Sequence, residues 1–406
     1  MNSERIRWIA GTMAREGYAA LICRLPQNVV MLTGYQPILG NSFCVVTAMK
    51  GGDEPEARLV VPTDEADLVP DGAAVTVKTF AEETMDRIST TLPSVREPLA
   101  ALLRDSGLGQ GSDFVGYEGD RSPIAGYYTQ IGVPGPNTLD LLRELLPGAA
   151  FRDATDALEG LAAVKSGEEL RWIRTSEEVA LYGFEAGRET IRAGATEAEV
   201  AGAVHAALYR AGYASPGARH VTAHVHVMSG PRAAEAYKAF NLTTNRAIEG
   251  GDTVSVQMEV CVNGYWAELT RPFFAGEASG EWARAHQACV RAQDAALQVI
   301  RDGVAGRTAD AAARAVMQSA GYGAAFKHGL GHGFGFQAIN HAAAPILHPA
   351  SDSMLRAGMV HNMEPAVYLD GKGGIRLNDN VLVRADGNEL LSKDIPRELD
   401  WLVVRE

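Results

Sequence analysis

One segment of alternating apolar and polar residues, closed by Asn-Gly, constrains the fold of this chain most strongly. In Thr253–Val262, valine or methionine occupies every second position, which is the period of a β-strand. The Asn263-Gly264 pair that follows favours a two-residue hairpin turn. Counting outward from this turn predicts that Glu259 lies directly opposite Glu268 on the next strand.

Two carboxylates that face each other in this way need a compensating partner. Like charges opposite one another in a sheet are destabilising, so a metal ion, a cationic substrate or a shared proton would have to balance them. A solvated face or a β-bulge that shifts the register would also remove the conflict. The hairpin is therefore a candidate part of a functional site.

Composition places the chain among ordinary globular proteins. Its 406 residues allow two domains, and 46% hydrophobic with 21% charged residues argues against a disordered or membrane-spanning chain. The net charge of −13 disfavours a nucleic-acid partner. The four cysteines have no paired spacing, and the N-terminal residues lack the apolar run of a secretory signal. We expect a cytoplasmic protein with no membrane partner.

The two halves of the chain carry different patterns. Residues 1–155 alternate helical periodicity with short strand-like runs, which predicts an α/β domain. Residues 156–406 begin with two helix-start signals, Ser166 to Glu169 and Thr196 to Glu199, each with a hydroxyl three residues before a glutamate. Strands and helices then follow in separate runs, which predicts an α+β domain.

Four motifs in the chain resemble, in order, those of the creatinase, prolidase and aminopeptidase P superfamily. They are Gly251–Phe273, His328–Gly335, Gly358–Pro365 and Gly373–Asp379. The resemblance implies an α+β pita-bread catalytic domain preceded by a smaller α/β creatinase-type N-terminal domain. It also implies a homodimer and hydrolysis of bonds to nitrogen.

The resemblance further identifies the positions at which the peptidases of this superfamily hold two divalent metal ions. Their aspartate, aspartate, histidine, glutamate and glutamate correspond to Gln257, Glu268, His332, Glu364 and Asn378. Two of the five positions are neutral amides, which bind hard divalent ions poorly. We therefore predict no metal cofactor. The fallback is one divalent ion held by Glu268, His332 and Glu364.

The predicted activity is hydrolysis of a C–N bond in a small polar substrate of guanidino, cyclic amidine, amide or prolyl type. Creatinase, a metal-free member, supports a metal-independent route in which His332 acts as general acid and base. Glu364 and Glu268 would bind or polarise the substrate, and the glycines beside His332 would leave room for it. The predicted substrate-binding residues are Gln257, Glu259, Tyr237, His226, His341, Arg376 and Asn378.

Other interpretations stay open. The surviving ligands could serve a mononuclear metal-dependent Xaa-Pro peptidase-like hydrolase or lyase, or the chain could be a catalytically inactive relative that binds a ligand. Arg271 and Arg376 match arginines near the site in the family, but each could equally be the structural partner of a buried acid.

Overall fold

The computed structural model describes residues 3–48, 54–108, 114–119, 136–238 and 242–405. The chain forms two compact units, Met1–Ala162 and Ala163–Glu406. The predicted boundary follows residue 155, so the two divisions differ in where they place residues 156–162. A search of the described residues finds no helix with the length and apolar character needed to cross a membrane.

The first unit is an α/β domain, as predicted. Its helices are α1 (Ser3–Glu16), α2 (Pro26–Thr33), α3 (Thr91–Asp105), α4 (Pro136–Leu145) and α5 (Thr155–Ala163), with a 3-10 helix at Thr63–Leu68. Its strands are β1 (Ala20–Cys23), β2 (Phe43–Thr47), β3 (Glu56–Pro62), β4 (Thr76–Phe80), β5 (Glu83–Thr84), β6 (Arg87–Ile88), β7 (Phe114–Tyr117) and β8 (Ala150–Asp153).

A mixed sheet in the order β4-β3-β2-β1-β7-β8 forms the centre of this unit. Strands β1, β2 and β3 pair antiparallel, whereas β7 and β8 run parallel to β1. Phe43, Val45 and Val60 contribute fully buried side chains to its core. Helix α1 buries Ile9 and Met13, which are four residues apart and so share one face.

The second unit contains the motifs of the predicted catalytic domain. Its helices are α6 (Gly167–Thr190), α7 (Glu197–Ala214), α8 (Gly280–Leu297), α9 (Gly306–Ser319) and α10 (Leu399–Leu402), with 3-10 helices at Gly230–Glu235 and Gly323–Ala325. Its strands are β9 (Val221–Ser229), β10 (Thr253–Val262), β11 (Tyr265–Ala275), β12 (Val360–Met363), β13 (Ala366–Leu369), β14 (Gly373–Arg376), β15 (Asp379–Val383), β16 (Asn388–Leu390) and β17 (Val403–Val404).

Local signals fix the beginnings of helices α6 and α7. Ser166 and Thr196 are the N-cap residues, and each accepts a hydrogen bond from the backbone N–H of the glutamate three residues later. The side chains of Glu169 and Glu199 accept hydrogen bonds from the N-cap backbone N–H groups in return. Both predicted capping boxes are therefore confirmed.

The predicted hairpin is also confirmed residue by residue. Strands β10 and β11 pair antiparallel with Glu259 opposite Glu268. Asn263 and Gly264 have φ values of 55° and 90°, as a primed two-residue turn requires. Every residue of β10 is buried, so both of its faces are covered. The solvated face and the shifted register are thereby ruled out.

Three sheets meet around this hairpin. The largest has the order β17-β11-β10-β9, and the others pair β12-β15-β16 and β13-β14. An isolated bridge between Thr270 and Asn378 joins β11 to the segment just before β15. Helix α6 comes close to β10, because a side chain at Gly183 would lie only 3.1 Å from Met258. On the opposite face of β10, Gln257 and Glu259 are also buried, so the polar face of this strand lies inside the unit.

We expect Gly264→Ala to destabilise the second unit by about 1–2 kcal/mol, because an L side chain rarely adopts the positive φ of this turn. Urea unfolding of the purified protein measures the change. Gly250→Ala is the matched control, since its added Cβ meets no atom within 4 Å. Equal losses of stability in the two variants would contradict the assigned turn.

Candidate active site

Three carboxylates are buried together in the second unit. Glu259 and Glu268 are 0% and 2% exposed, and Glu364, between β12 and β13, is 7% exposed. Among the described residues, the Oε2 atoms of Glu259 and Glu268 have no hydrogen-bond partner. The site therefore contains more buried acceptors than the protein around it satisfies.

Arg376, at the end of β14, is the cation at the centre of this cluster. Its Nη2 donates to Gln257 Oε1, and its Nε donates to Thr270 Oγ1 at 3.3 Å. Its Nη1 donates to the carbonyl of Ala236 at 3.3 Å and lies 3.7 Å from Glu364 Oε2. The guanidinium is thus a structural partner of buried acids, one of the two roles that the sequence left open.

Gln257 connects this cation to an acid. Its Oε1 accepts from Arg376, and its Nε2 donates to Glu259 Oε1 at 2.6 Å. A side-chain amide can donate and accept at the same time, whereas an ionised carboxylate can only accept. On the far side of Glu259, His226 Nε2 lies 3.5 Å from Oε2.

His332 faces Glu268 with one defined ring nitrogen. Its Nδ1 donates to the carbonyl of Gly333 at 3.1 Å, which leaves Nε2 as an acceptor. Nε2 accepts from Asn362 Nδ2 at 3.2 Å and lies 3.6 Å from Glu268 Oε2. Asn362 Oδ1 also accepts from the backbone N–H of His332 at 2.7 Å. The imidazole is held as a neutral base.

The glycines beside His332 serve packing rather than ligand access. A Cβ on Gly331 would lie 2.2 Å from the carbonyl oxygen of Asn362, and one on Gly333 would lie 2.0 Å from that of Ala344. The expectation that these glycines leave room for a substrate is therefore wrong. Close approach of neighbouring backbone segments already occupies that space.

Burial sets the protonation of the site. It lowers the pKa of His332, although the nearby Glu364 carboxylate opposes the change. It raises the pKa of Glu364 to about 7, against the effect of Arg376. Burial, followed by the charge of Glu259, also raises the pKa of Glu268. Near pH 7 the site can thus hold both a neutral imidazole and a protonated carboxyl.

Asn378 lies where the hairpin meets β15. Its Nδ2 donates to Glu268 Oε1 at 3.4 Å, and its backbone pairs with Thr270. Its Oδ1 is another buried acceptor without a hydrogen-bond partner in the described part of the chain.

The remaining predicted residues lie at the edge of the cluster. The ring centroid of His341 is 4.9 Å from that of His332, and the side chain is exposed. Tyr237 is 37% exposed, and its ring lies 5.3 Å from that of Tyr368. The hydroxyl of Tyr368 is 3.1 Å from His328 Nε2.

The sequence predictions missed Asn362 and Tyr368. Asn362 holds both the backbone and the ring of His332, and a polar residue inside the strand β12 could have indicated it. Tyr368 had no such signal, because its neighbours come from distant segments. The other predicted site residues form one connected group around Arg376 and His332.

Comparison with known proteins places the chain in a family. A model of metallopeptidase family M24 matches residues 171–385. The chain is 25% identical over 390 residues to an Xaa-Pro dipeptidase of Pyrococcus furiosus, covering 96% of this chain and 98% of that protein. It is 28% identical over 258 residues to a putative dipeptidase, YkvY, of Bacillus subtilis, covering 64% of this chain and 68% of that protein. The chain belongs to metallopeptidase family M24.

Solved structures agree on the fold. The prolidase of Pyrococcus horikoshii superposes with a TM-score of 0.76 at 23% identity, covering 98% of this chain and 100% of that one. An X-Pro aminopeptidase of Thermotoga maritima superposes with a TM-score of 0.77 at 22% identity, covering 97% of this chain and 100% of that one. The predicted pita-bread fold with its smaller N-terminal domain is confirmed.

Family membership corrects one prediction. We predicted no metal cofactor, and the matched family is one of metallopeptidases. The side chains nevertheless do not fit the two-ion set, because Gln257 and Asn378 are neutral and Arg376 donates to Gln257. Within the described ranges, no group of three or more His, Cys, Asp or Glu side chains is arranged to hold a metal ion. We assign no step of the reaction to a metal.

We expect Gln257→Glu to lower the free energy of unfolding by about 1–3 kcal/mol at pH 8, because it removes the donor to Glu259 and adds a like charge beside it. Urea unfolding gives the value. The exposed Gln318→Glu is the control and should change stability by less than about 0.5 kcal/mol. A loss no greater than that of the control would show that the bridge is unimportant.

Proposed function

We propose that this protein is a hydrolase that cleaves a C–N bond in a small, polar, nitrogen-bearing substrate. The proposal rests on one observation: His332 presents a neutral Nε2 within 3.6 Å of a carboxylate oxygen of Glu268 that has no hydrogen-bond donor in the described part of the chain. A water molecule or a substrate N–H group could donate to this oxygen beside the imidazole.

The pair of His332 and Glu268 suits the two proton transfers of hydrolysis. His332 Nε2 takes a proton from the attacking water as the new C–O bond forms, and it then returns that proton to the leaving nitrogen as the C–N bond breaks. The second water proton stays on oxygen. The nearby carboxylates stabilise the transient imidazolium, and the low pKa of the buried imidazole allows it to start as a base.

The excess of buried acceptors favours a substrate with several N–H donors. Guanidino and cyclic amidine compounds present such donors around one carbon atom, and they carry positive charge. Glu259 Oε2, Glu268 Oε2 and Asn378 Oδ1 are the acceptors that could bind them. Arg376 limits the repulsion among the carboxylates before the substrate arrives.

A second candidate is hydrolysis of Xaa-Pro dipeptides. Nearly the whole chain matches a relative that is named for this activity. The neutral amides at positions 257 and 378 disfavour Xaa-Pro hydrolysis that depends on the two-ion ligand set of the peptidases. A substrate panel that contains both classes, assayed with and without added Mn²⁺ and Zn²⁺, separates the two candidates.

We expect His332→Ala to lower kcat/KM by about 10²–10⁴-fold on whichever member of the panel is turned over, as for loss of a general acid and base. The panel contains creatine, creatinine, pyroglutamate and Ala-Pro. His348→Ala is the matched control, because this histidine is exposed. Full activity of the first variant would exclude His332 as the proton carrier. Tight binding of one compound without turnover would favour an inactive ligand-binding protein.

We expect Glu259→Gln to raise KM about tenfold for a cationic substrate and to change KM less than twofold for a neutral one, since it removes one buried negative charge. Steady-state kinetics with both substrate types measures the difference. The exposed Glu277→Gln controls for overall charge. Equal effects on both substrates would contradict a charge-selecting role for Glu259.

A further inference from the structure

A concave site in the second unit contains none of the residues of the candidate active site. It is a cleft of about 980 Å³ between helix α6, helix α7 and the segment that follows β16. Clefts of a few hundred to about 1,000 Å³ are typical of sites for small organic ligands. The cleft is therefore large enough to take such a ligand beside the helix layer.

The cleft is acidic. Of the described residues that line it, six carry carboxylates and three carry basic groups. One of the basic side chains, Arg174, already donates to the lining residue Glu389 at 2.8 Å. The acids are Glu177, Glu178, Glu185, Glu189, Glu389 and Asp394. This excess favours a positively charged ligand and disfavours an anion.

One carboxylate at the cleft is buried and incompletely bonded. Glu177 is 3% exposed, and its Oε1 accepts from Asn380 Nδ2. Its Oε2 has no hydrogen-bond partner in the part of the chain that the structure describes. A buried polar atom without a partner carries a desolvation cost that a ligand donor can remove.

The wall beside Glu177 combines polar and apolar groups. Ser392 lines the cleft and donates to Asp379 behind it. Ala211 and Leu391 supply apolar surface, and Tyr182 at the cleft is 54% exposed. An aliphatic chain can lie on such surface while its charged end reaches the carboxylate.

We infer that this cleft binds an organic cation of the aliphatic amine or polyamine class, whose ammonium group donates a hydrogen bond to Glu177 Oε2. A bare metal ion fits less well, because no three-ligand group of His, Cys, Asp or Glu occurs within the described ranges. The alkyl chain packs on the wall that contains Ala211.

Calorimetric titration of the full-length protein with spermidine tests this site. We expect one binding event, weakened about tenfold or more by Glu177→Gln, because a charge-assisted hydrogen bond is lost. Glu168→Gln makes the same side-chain replacement on the exposed first turn of α6, outside the cleft, and should alter the dissociation constant less than twofold. Equal weakening by both variants, or no binding to the wild-type protein, would overturn the inference.

A second variant keeps the test valid if Glu177→Gln does not fold. Ala211→Phe places a large ring on the apolar wall of the cleft and leaves the carboxylate in place, so it should weaken spermidine binding about tenfold or more. Glu259→Gln, in the candidate active site, should leave the dissociation constant unchanged within twofold. Loss of binding in Glu259→Gln with retention in Ala211→Phe would place the ligand in the active site and contradict the cleft.

Proton release gives an independent readout. Burial raises the pKa of Glu177 to about 8. The charge of Asp379 contributes to this rise, and the charge of Arg271 opposes it. Most of this carboxyl is therefore protonated at pH 7, and binding of an ammonium group would release about one proton. In titrations with two buffers of different ionisation enthalpy, the binding heat should differ between the buffers for the wild-type protein and not for Glu177→Gln. Equal heats in both buffers would contradict Glu177 as the binding group.

Discussion

The ion network around Arg376 is the interaction on which the site depends. Three carboxylates lie in the interior of the second unit, where ionisation is costly without compensation. One guanidinium reaches Glu364 directly and reaches Glu259 through Gln257. Removal of one member would leave the others as uncompensated buried charges. The position of Arg376 therefore governs which of the carboxylates can ionise.

The amide at position 257 has a physical explanation in this network. It donates to one side chain and accepts from another, which an ionised carboxylate at that position could not do. The chain belongs to a family of metallopeptidases, and its Gln257 forms hydrogen bonds with protein groups at a position where the sequence resemblance implies a metal ligand. The same replacement leaves acceptors on Glu259 and Glu268 available to a ligand.

The orientation of His332 depends on backbone packing more than on its own loop. Carbonyl groups lie about 2 Å from the points where a Cβ atom would stand on Gly331 and Gly333, so only glycine fits there. Asn362 binds both the backbone and the ring of His332. These contacts fix which ring nitrogen faces Glu268. A proton carrier held in this way needs little reorganisation during a reaction.

Local sequence alone determined the helix starts at Ser166 and Thr196, the strand β10 and its register, because capping boxes, two-residue periodicity and an Asn-Gly turn act over a few residues. Tertiary structure decided what surrounds the Glu259 and Glu268 pair. Arg376 lies more than a hundred residues along the chain from these acids, and its hydrogen bonds form only once the sheets are assembled. Burial of both faces of β10 has the same origin, because contacts between distant segments leave no trace in a local pattern.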